Sequence, residues 1–486
     1  MMTPRSSTAA GRRRLALVTG ATGYIGGQVI LALAEQGWRV RALVRSAAKA
    51  TASPWAHLIA TDEASGRVQL YEGDAESEED LDRALTGVDT AWYLLHSMSE
   101  DEDFVSVEVA MAKRFAACAQ RARLSRIIYL GGLHPHIPTG ELSDHLRSRV
   151  EVGQAFLDCA VPAACLQAGL VIGAQSSSFI MLRHLSERLP GAIGPKWLRN
   201  RISPIGIDDA VHYLTAAADL PGEVNRAFDI GGPEDFAYAG MMQEYAKATG
   251  LLPRFIGTAP VTTPRLAAHW IGLVTPISAS LARPLIGSLT HDTVLTERDL
   301  DDLVGPPPGG HTSFADAVAA ATKGVDTRRW LRTATATGSA VAIAATIASL
   351  ATRPATRWYR GLTQPSFAPP PAAFGIVWPA LYAAIGWVGS LSLADLAERG
   401  QESELRSYRR ALGLNLVLNA TWSATFFRAR KLKLATAHAA ALAVSSADLV
   451  RRSGWVSPQK AVVLSPYAAW TAFACALSGA LARGNA

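Results

Sequence analysis

The sequence contains few cysteines and little charge, and each shortage excludes a class of protein. Only four cysteines occur among 486 residues, and none belongs to a Cys-x-x-Cys pair, so neither a disulfide framework nor a structural zinc site is expected. Charged residues make up 18% of the chain, against about 25% in typical soluble proteins. Hydrophobic residues reach 49%. The length allows two or three domains, and the composition excludes a largely disordered chain and disfavours a wholly soluble one.

Acidic residues are particularly scarce in the last third of the chain. Residues 331–486 contain 16 Lys and Arg but 5 Asp and Glu; the totals of 47 and 41 leave 31 basic and 36 acidic residues for 1–330. The positive excess lies in the more apolar part, which is typical of cationic flanks on membrane spans rather than of a nucleic-acid interface. We therefore expect a lipid bilayer, and no nucleic acid, among the partners. Residues 1–14 are interpreted as a disordered tail without an export signal.

Short β-rich runs alternate with helical stretches from Leu15 onwards. This alternation predicts βαβ units and an α/β fold of the Rossmann type, with a doubly wound parallel sheet and helices on both faces. Further along, the alternation weakens, and residues 204–214 and 227–232 are interpreted as a small substrate lobe. The predicted domain covers residues 15–325, and residues 326–332 form a linker.

Five stretches without any Asp, Glu, Lys or Arg follow the linker. A membrane-spanning helix needs about 20 apolar residues, with a range of about 17–25. The sequence therefore predicts an all-α bundle of five transmembrane helices over residues 333–486. The stretches are 333–352, 361–394, 411–427, 434–447 and 461–482.

A glycine-rich turn, TGATGYIGG (19–27), lies between the first predicted strand and the first predicted helix. The first glycine allows a tight turn, the second lets the backbone approach a pyrophosphate, and the third lets the helix pack closely on the strand. The helix N-terminus then offers N–H groups and a positive dipole to the phosphates. We expect dinucleotide binding here, through Gly20, Thr22, Gly23, Tyr24, Ile25 and Gly26.

Residues at the ends of the next two strands bear on which nicotinamide cofactor binds. The second strand ends in Val44-Arg45, where an Asp or Glu would hold the ribose 2′-OH of NAD(H) and an Arg suits the 2′-phosphate of NADP(H). NADP(H) is therefore expected in preference to NAD(H). Asp74, after the third strand, is expected near the adenine, and a role as a helix cap is the alternative.

The amino-terminal part resembles the atypical, extended branch of the short-chain dehydrogenase/reductase superfamily, of the NmrA-like and epimerase-like kind. The resemblance covers about residues 15–325, and it is carried by TGATGYIG, Gly73-Asp74, YLLHSM (93–98) and LSDHLRSRVEVG (142–153). It implies a nicotinamide-dependent oxidoreductase. The family has a Ser or Thr after the fifth strand and a Tyr-x-x-x-Lys on the next helix.

The catalytic residues of that family are replaced in this chain. The fifth strand ends in Gly131-Gly132, and the next helix carries His145 and Arg149 where the family has Tyr and Lys. The resemblance implies that His145 is a general acid near neutral pH and that Arg149 holds the nicotinamide ribose. Four residues apart on a helix, the two face the same side. The alternative is a domain that binds its cofactor without chemistry.

The carboxyl-terminal part resembles the tryptophan-rich sensory protein/translocator protein family (TspO/MBR) over about residues 331–486. Its markers are Trp358-Tyr359, Gln364-Pro365-Ser366-Phe367, Pro369-Pro370, Val377-Trp378, Leu381-Tyr382, Leu418-Asn419, Trp422-Ser423, Phe426-Phe427 and Pro466-Tyr467. The family implies five spans, frequent homodimers, and a pocket for porphyrins and, in some members, sterols. No Lys or Arg follows Tyr467 to complete the proposed sterol motif, so a porphyrin is favoured. The implied pocket residues are Tyr359, Trp378, Tyr382, Asn419, Trp422 and Trp470.

Together these features predict a membrane-tethered, NADP(H)-binding oxidoreductase-like protein whose membrane module binds a porphyrin or another flat, apolar molecule. The alternatives are a non-enzymatic, NADP(H)-responsive sensor or regulator, a transporter of tetrapyrroles, and an enzyme with a passive anchor. Because NADP(H) is cytoplasmic, we expect a multi-pass protein of a bacterial inner membrane with its first domain in the cytoplasm. No metal is expected, since His134 and His136 lack a Cys or carboxylate that would complete a recognisable ligand set.

Overall fold

The structure is a computed structural model, and it describes residues 13–59, 67–95, 104–259 and 270–485. The chain divides into two units. The first runs to Ile271 and continues over Ile277–Val325, and the second consists of Gly272–Pro276 and Asp326–Ala486.

The central sheet of the first unit has seven strands within the described ranges. They are β1 (Leu15–Val18), β2 (Arg39–Val44), β3 (Val68–Glu72), β4 (Thr90–Tyr93), β5 (Arg126–Gly132), β6 (Ala163–Ala168) and β7 (Arg226–Ile230). Their spatial order is 3-2-1-4-5-6-7, and every neighbouring pair is parallel. The order reverses between β1 and β4, which creates the switch point at which α/β sheets bind ligands beyond the carboxyl ends of their strands. The predicted Rossmann-type fold is confirmed.

The helices of this unit are α1 (Tyr24–Glu35), α2 (Glu78–Leu85), α3 (Phe104–Arg121), α4 (Asp144–Leu157), α5 (Ser177–Arg188), α6 (Ile207–Ala216), α7 (Tyr238–Ala248), α8 (Ala279–Ser288), α9 (Asp299–Val304) and α10 (Phe314–Ala321). Of these, α1, α6 and α9 pack on one face of the sheet, and α2, α3 and α4 pack on the other. Successive residues of β1 point to opposite faces. Ala16 and Val18 join a core with α1 and α6, whereas Leu15 and Leu17 join a core with α3 and α4. Burial on both faces explains why β1 is continuously apolar.

The assignment of two segments to the small lobe is wrong. Residues 204–214 include most of α6, which packs on the core between the sheet and α1. Residues 227–232 were placed in the small lobe, but Arg226–Ile230 pairs with β6 along its whole length and forms the edge of the main sheet. The alternation fades before β7 because the long connection from β6 contains α5, α6 and several two-residue strands. The small lobe itself contains a parallel pair of strands, Gly191–Gly194 with Phe255–Thr258.

Five long helices form the second unit. They are α11 (Arg329–Ala351), α12 (Pro371–Glu398), α13 (Glu402–Ser423), α14 (Leu432–Val456) and α15 (Pro458–Gly484). By length and composition, α11, α12 and α15 can cross a membrane. The remaining two are more polar because α13 begins with the charged turns ESELRSYRR and α14 carries Asp448, Arg451 and Arg452 near its end. The predicted all-α bundle of five helices is confirmed.

An ion pair is buried within the helical bundle. The ammonium of Lys460, in the first turn of α15, donates to the carboxylate of Asp395, in the last turn of α12. Both side chains are at most 1% exposed. Because burying a charge is costly, such a pair is stable only while both partners are present. The pair therefore ties the beginning of α15 to the end of α12.

We expect Lys460→Met to destabilise the bundle, because Asp395 would lose its buried cation, and breaking such a pair typically costs about 3–5 kcal/mol. The double variant Asp395→Leu/Lys460→Met should recover most of this loss, since neither charge is then buried. The midpoint of thermal unfolding in detergent measures both effects. Lys433→Met, at an exposed position of the same unit, is the matched control. A double variant no more stable than Lys460→Met would contradict the expectation.

Candidate functional site

The turn between β1 and α1 is closed by backbone contacts that require glycine. Gly20 has a φ of +65°, and a Cβ there would lie 2.4 Å from the carbonyl oxygen of Leu94. A Cβ on Gly26 would lie 2.3 Å from the carbonyl oxygen of Gly20. Both distances are far shorter than a van der Waals contact, so a larger residue at either position would force the turn open.

The outer side of this turn is the N-terminus of α1. Thr22 and Gly23 are exposed there, whereas Tyr24 and Ile25 are partly buried, and Ile25 packs on the core between the sheet and α1. Gly23 is the N-cap, and no side chain caps the helix within the described residues. The first N–H groups of α1 are therefore available to an anionic ligand, which the helix dipole also favours.

Two aromatic residues brace the turn. The hydroxyl of Tyr24 packs against Gly173, where an added Cβ would lie 2.5 Å from it, and burial raises the pKa of this hydroxyl. The indole of Trp55 donates to the carbonyl oxygen of Ala21 at 3.0 Å. Trp55 was not anticipated, because it lies in a polar segment without strand or helix periodicity.

Arg45 and Asp74 follow β2 and β3 but have different surroundings. Arg45 is exposed, and its guanidinium makes no hydrogen bond or ion pair within the described residues. The side chain of Asp74 accepts the N–H of Glu76 at 2.9 Å, and its own N–H donates to Asp80 at 2.9 Å. Asp74 therefore stabilises the turn that leads into α2. This role is similar to the helix cap that was the alternative to a contact with adenine. Arg45 remains available to a phosphate.

The proposed catalytic pair lies on α4, near the carboxyl end of β5. Arg149 is 7% exposed, and its Cγ lies 3.8 Å from the position that a Cβ on Gly132 would take. Gly132 is the last residue of β5. His145 lies one helical turn before Arg149 and is partly buried. The fold thus places Arg149 beside the end of β5, the edge at which α/β sheets bind ligands.

Burial lowers the pKa of both His145 and Arg149. Burial lowers the pKa of His145 from 6.5 to about 4, so its imidazole is neutral at pH 7. This differs from the expectation of a general acid that is protonated near neutral pH. Burial also lowers the pKa of Arg149 to about 10, which still leaves it charged. The site therefore offers a neutral imidazole and a cation one turn apart.

A buried carboxylate close to this pair was not anticipated from the sequence. Glu108 on α3 is 6% exposed and accepts a hydrogen bond from Ser148, the residue before Arg149. Burial raises the pKa of Tyr93 and of Tyr129, and the charge of Glu108 raises both further. A signal was available: with Val105 and Ala112, Glu108 occupies positions i, i+3 and i+7 on the buried face of α3.

A chain of hydrogen bonds crosses the helical bundle of the second unit. The Tyr382 hydroxyl donates to the Asn419 amide oxygen at 2.6 Å, and the Asn419 amide nitrogen donates to the Tyr467 hydroxyl at 3.1 Å. The Tyr467 hydroxyl donates to Asn415 at 2.8 Å, and the Asn415 amide donates to Ser446 at 3.2 Å. This polar chain links α12, α13, α15 and α14. Because each member satisfies the next, these groups are stable inside an apolar bundle.

Four of the six expected pocket residues lie together near this polar chain. Trp378, Tyr382 and Trp470 pack on the main core of the bundle, and Asn419 accepts the bond from Tyr382. The rings of Trp378 and Tyr382 are 5.5 Å apart. The indole nitrogen of Trp470 is buried and has no hydrogen-bond partner among the described residues. A ligand with an acceptor atom would satisfy it.

The other two expected pocket residues belong to a separate aromatic cluster. Trp422 stacks on Phe426 with ring centroids 5.2 Å apart, and Tyr359 lies 6.2 Å from Phe426. The Trp422 indole donates to the carbonyl oxygen of Ala435 at 3.0 Å. Its polar atom is therefore used within the fold, unlike that of Trp470. The structure thus divides the six residues between two clusters.

Comparisons with known families cover both units. Residues 336–483 match the TspO/MBR family, and residues 13–170 match the NmrA-like family. The translocator protein of Homo sapiens is 37% identical over 134 residues, which are 26% of this chain and 75% of that protein.

The first unit is similar to reductases. The ceramide reductase of Caulobacter vibrioides is 28% identical over 250 residues, which are 50% of this chain and 73% of that protein. Among solved structures, the triphenylmethane reductase of Citrobacter sp. is similar with a TM-score of 0.49 and 18% identity, covering 64% of this chain and 99% of that chain. The chain belongs to the TspO/MBR family through its helical unit, which it joins to an NmrA-like, NAD(P)-binding, reductase-like domain.

Proposed function

We propose that the protein is a membrane-tethered, NADP(H)-dependent oxidoreductase whose membrane unit binds a porphyrin or another flat, apolar molecule. The observation that carries this proposal is the turn between β1 and α1. Gly20 and Gly26 close the turn, and the N-terminus of α1 is left open to a pyrophosphate. A nicotinamide cofactor held there would supply the hydride chemistry.

Arg45 supports NADP(H) as the cofactor in preference to NAD(H). Its guanidinium, exposed at the end of β2 and without a partner in the part of the chain that the structure describes, suits a 2′-phosphate, and the fork of donors matches phosphate geometry. The competing feature is Glu72, which is the register partner of Val44 on β3. Its carboxylate accepts the N–H of Ala47 at 3.4 Å, and it is the group that would favour NAD(H).

His145 and Arg149 are the proposed catalytic residues. Because His145 is neutral at pH 7, it would donate a hydrogen bond to a substrate oxygen rather than give up a proton from an imidazolium. Arg149 keeps its charge and would hold the ribose hydroxyls or a developing negative charge. The proton that accompanies hydride transfer would then come from solvent.

The polar chain and the Trp470 indole support ligand binding in the membrane unit. Trp378, Tyr382 and Trp470 offer flat apolar surfaces, and the buried indole N–H of Trp470 offers a donor. A planar macrocycle with nitrogen or carboxylate acceptors matches this combination. We propose this cluster, rather than the one around Trp422, as the ligand site.

A non-enzymatic, NADP(H)-responsive sensor is the second candidate. The absence of a hydroxyl at Gly131-Gly132 and the neutral charge of His145 favour it. In a sensor, the cofactor would change the affinity for porphyrin, and porphyrin would change the affinity for the cofactor by the same factor. Consumption of NADPH in the presence of porphyrin would support the enzymatic function. A porphyrin affinity that is the same with and without NADPH would rule out the sensor.

We further propose a multi-pass protein of a bacterial inner membrane with its first unit in the cytoplasm, where NADP(H) is found. The three apolar helices support the membrane assignment. A homodimer through the membrane unit follows from the resemblance to the TspO/MBR family.

We expect Arg45→Asp to weaken NADPH binding roughly 10- to 100-fold, since a hydrogen bond to a charged group contributes about 1.5–3 kcal/mol. Binding of NADH should change little. Fluorescence titration of the intact protein measures both affinities. Arg39→Asp, at the exposed first residue of the same strand, is the matched control. Equal weakening of NADPH and NADH binding by Arg45→Asp would count against a contact with the 2′-phosphate.

The pH dependence of NADPH oxidation distinguishes the two charge states of His145. With a pKa of about 4, the imidazole is neutral at pH 6 and above, so a rate that uses this form is flat between about pH 6 and 8 and falls as the pH decreases towards 4. His145→Ala should lower kcat roughly tenfold, the loss of one hydrogen bond. His291→Ala, at another partly buried histidine, should not. A rate that rises tenfold with each unit of acidification would show that the imidazolium acts.

We expect Asn419→Leu to weaken porphyrin binding roughly tenfold, because the Tyr382 hydroxyl would lose its acceptor and its ring its fixed position. Titration by porphyrin absorbance measures the change. Thr421→Ala is the control, since Thr421 is exposed on the same helix and its hydroxyl bonds to the carbonyl oxygen of Val417. An unchanged porphyrin affinity of the Asn419→Leu variant would show that the ligand does not bind at this cluster.

A further inference from the structure

The small lobe of the first unit exposes an unusually apolar face. Ile193 is 81% exposed and Phe255 is 77% exposed, and Leu252, three residues earlier, is 73% exposed. Two other large hydrophobic side chains are exposed in the described part of this unit, Val107 and Leu303, at 47% and 46%. Among the residues that the structure describes in this unit, the three most exposed large hydrophobic side chains therefore all belong to the two paired strands or to the loop just before one of them.

The geometry of two strands brings Ile193 and Phe255 onto the same face. The strand Gly191–Gly194 pairs in parallel with Phe255–Thr258, so that Gly257 lies beside Ile193 and Gly191 beside Phe255. Exposure alternates along both strands, with these four residues exposed and the intervening ones partly buried. Because the other two exposed residues are glycines, Ile193 and Phe255 carry the only side chains on this face of the two strands.

A shallow hollow of about 580 Å³ lies on this face. Ile193 and Phe255 contribute its apolar walls, and Gly191 and Gly257 leave space between them. Isolated exposed hydrophobic residues are common on soluble proteins, but several large ones on one lobe mark an interaction surface.

Basic side chains occur in the same lobe, and one of them contacts the second strand, because the Arg199 guanidinium donates to the Thr258 hydroxyl. Lys196 and Arg199 begin and end the short helix that follows the first of the two strands, and both are exposed. Lys247, at the end of α7, is 79% exposed and is 3.4 Å from Glu244. Exposed apolar side chains with the exposed cations Lys196 and Arg199 in the same lobe suit an anionic lipid surface, where the apolar side chains enter the acyl region and the cations meet headgroups.

We propose that this face, formed by Ile193, Leu252 and Phe255, contacts the surface of the lipid bilayer. The chain itself supplies the reason for this choice of partner, because its second unit is a TspO/MBR membrane unit, to which the first unit is covalently joined. The contact would place the small lobe against lipid, from which an apolar substrate could be taken. The inference does not depend on the identity of the cofactor or on catalysis.

The full chain, reconstituted in vesicles of phosphatidylcholine and phosphatidylglycerol with a photoactivatable phospholipid, tests this contact. After irradiation, mass spectrometry identifies the labelled peptides. We expect label on the peptides that contain Ile193 and Phe255, in addition to the helices of the second unit. The peptide that contains Leu303 provides the background for an exposed apolar residue outside the face.

Ile193→Asp/Phe255→Asp should reduce labelling of both peptides to the Leu303 background, while the helices of the second unit stay labelled. Leu303→Asp is the matched control and should leave labelling of the face unchanged. Since all three side chains are exposed, these variants are expected to fold. Wild-type peptides labelled no more than the Leu303 peptide would overturn the proposal. So would cross-links from Phe255 to a second copy of the chain in place of lipid label.

Discussion

The contact between Gly26 and the carbonyl oxygen of Gly20 is the constraint on which the nucleotide end of the first unit depends. A single added carbon at Gly26 would lie 2.3 Å from that oxygen. The first turn of α1 can therefore approach Gly20 this closely only if residue 26 is glycine. The contact sets the N-terminus of α1 beside the carboxyl end of β1, where the strand order reverses. Trp55 and Tyr24 hold the turn from two sides. Without the contact, α1 would move off the sheet and lose the core that it shares with β1.

The second unit solves a different problem, the placement of polar groups inside an apolar bundle. On three helices, buried polar residues recur seven residues apart, which corresponds to a rise of about 10 Å. The pairs are Tyr408 and Asn415, Ser446 and Ser453, and Lys460 and Tyr467.

This spacing arranges the polar groups in two layers. One layer contains the Asn419, Tyr467 and Asn415 chain, and the other contains the Tyr408–Ser453 hydrogen bond and the Lys460–Asp395 pair. Leu464, which is 1% exposed, lies between the layers on α15. Within each layer these polar groups bond to one another.

Local sequence signals predict a large part of this architecture. The glycine turn and the strand–helix alternation predict the first unit, and the charge-free stretches predict the number of long helices. The Lys460–Asp395 pair could not be predicted, because each residue lies at the boundary of a charge-free stretch. A charge in that position is normally one that flanks a membrane span and faces solvent. Only the packing of α15 against α12 brings them together. In the same way, the place of β7 depends on pairing across a long connection.

The expected ligand residues show where periodicity stops being informative. Asn419 and Trp422 lie three residues apart on the regular part of α13 and so lie on nearly the same face, but α13 is followed by a π-helical turn at Ala424–Arg428, which places Phe426 where Trp422 stacks on it. Trp422 packs with that turn, and Asn419 bonds towards the core. The state of His145 was equally hidden, because its charge depends on burial by the surrounding chain and not on its spacing from Arg149.

The most direct test is one titration of the intact protein in detergent, in which NADPH fluorescence and porphyrin absorbance are followed together. We expect saturable binding of both molecules by the same polypeptide. A protein that binds porphyrin but leaves NADPH fluorescence unchanged, or that binds NADPH without affinity for any porphyrin, would contradict the joining of a nicotinamide site to a ligand-binding membrane unit.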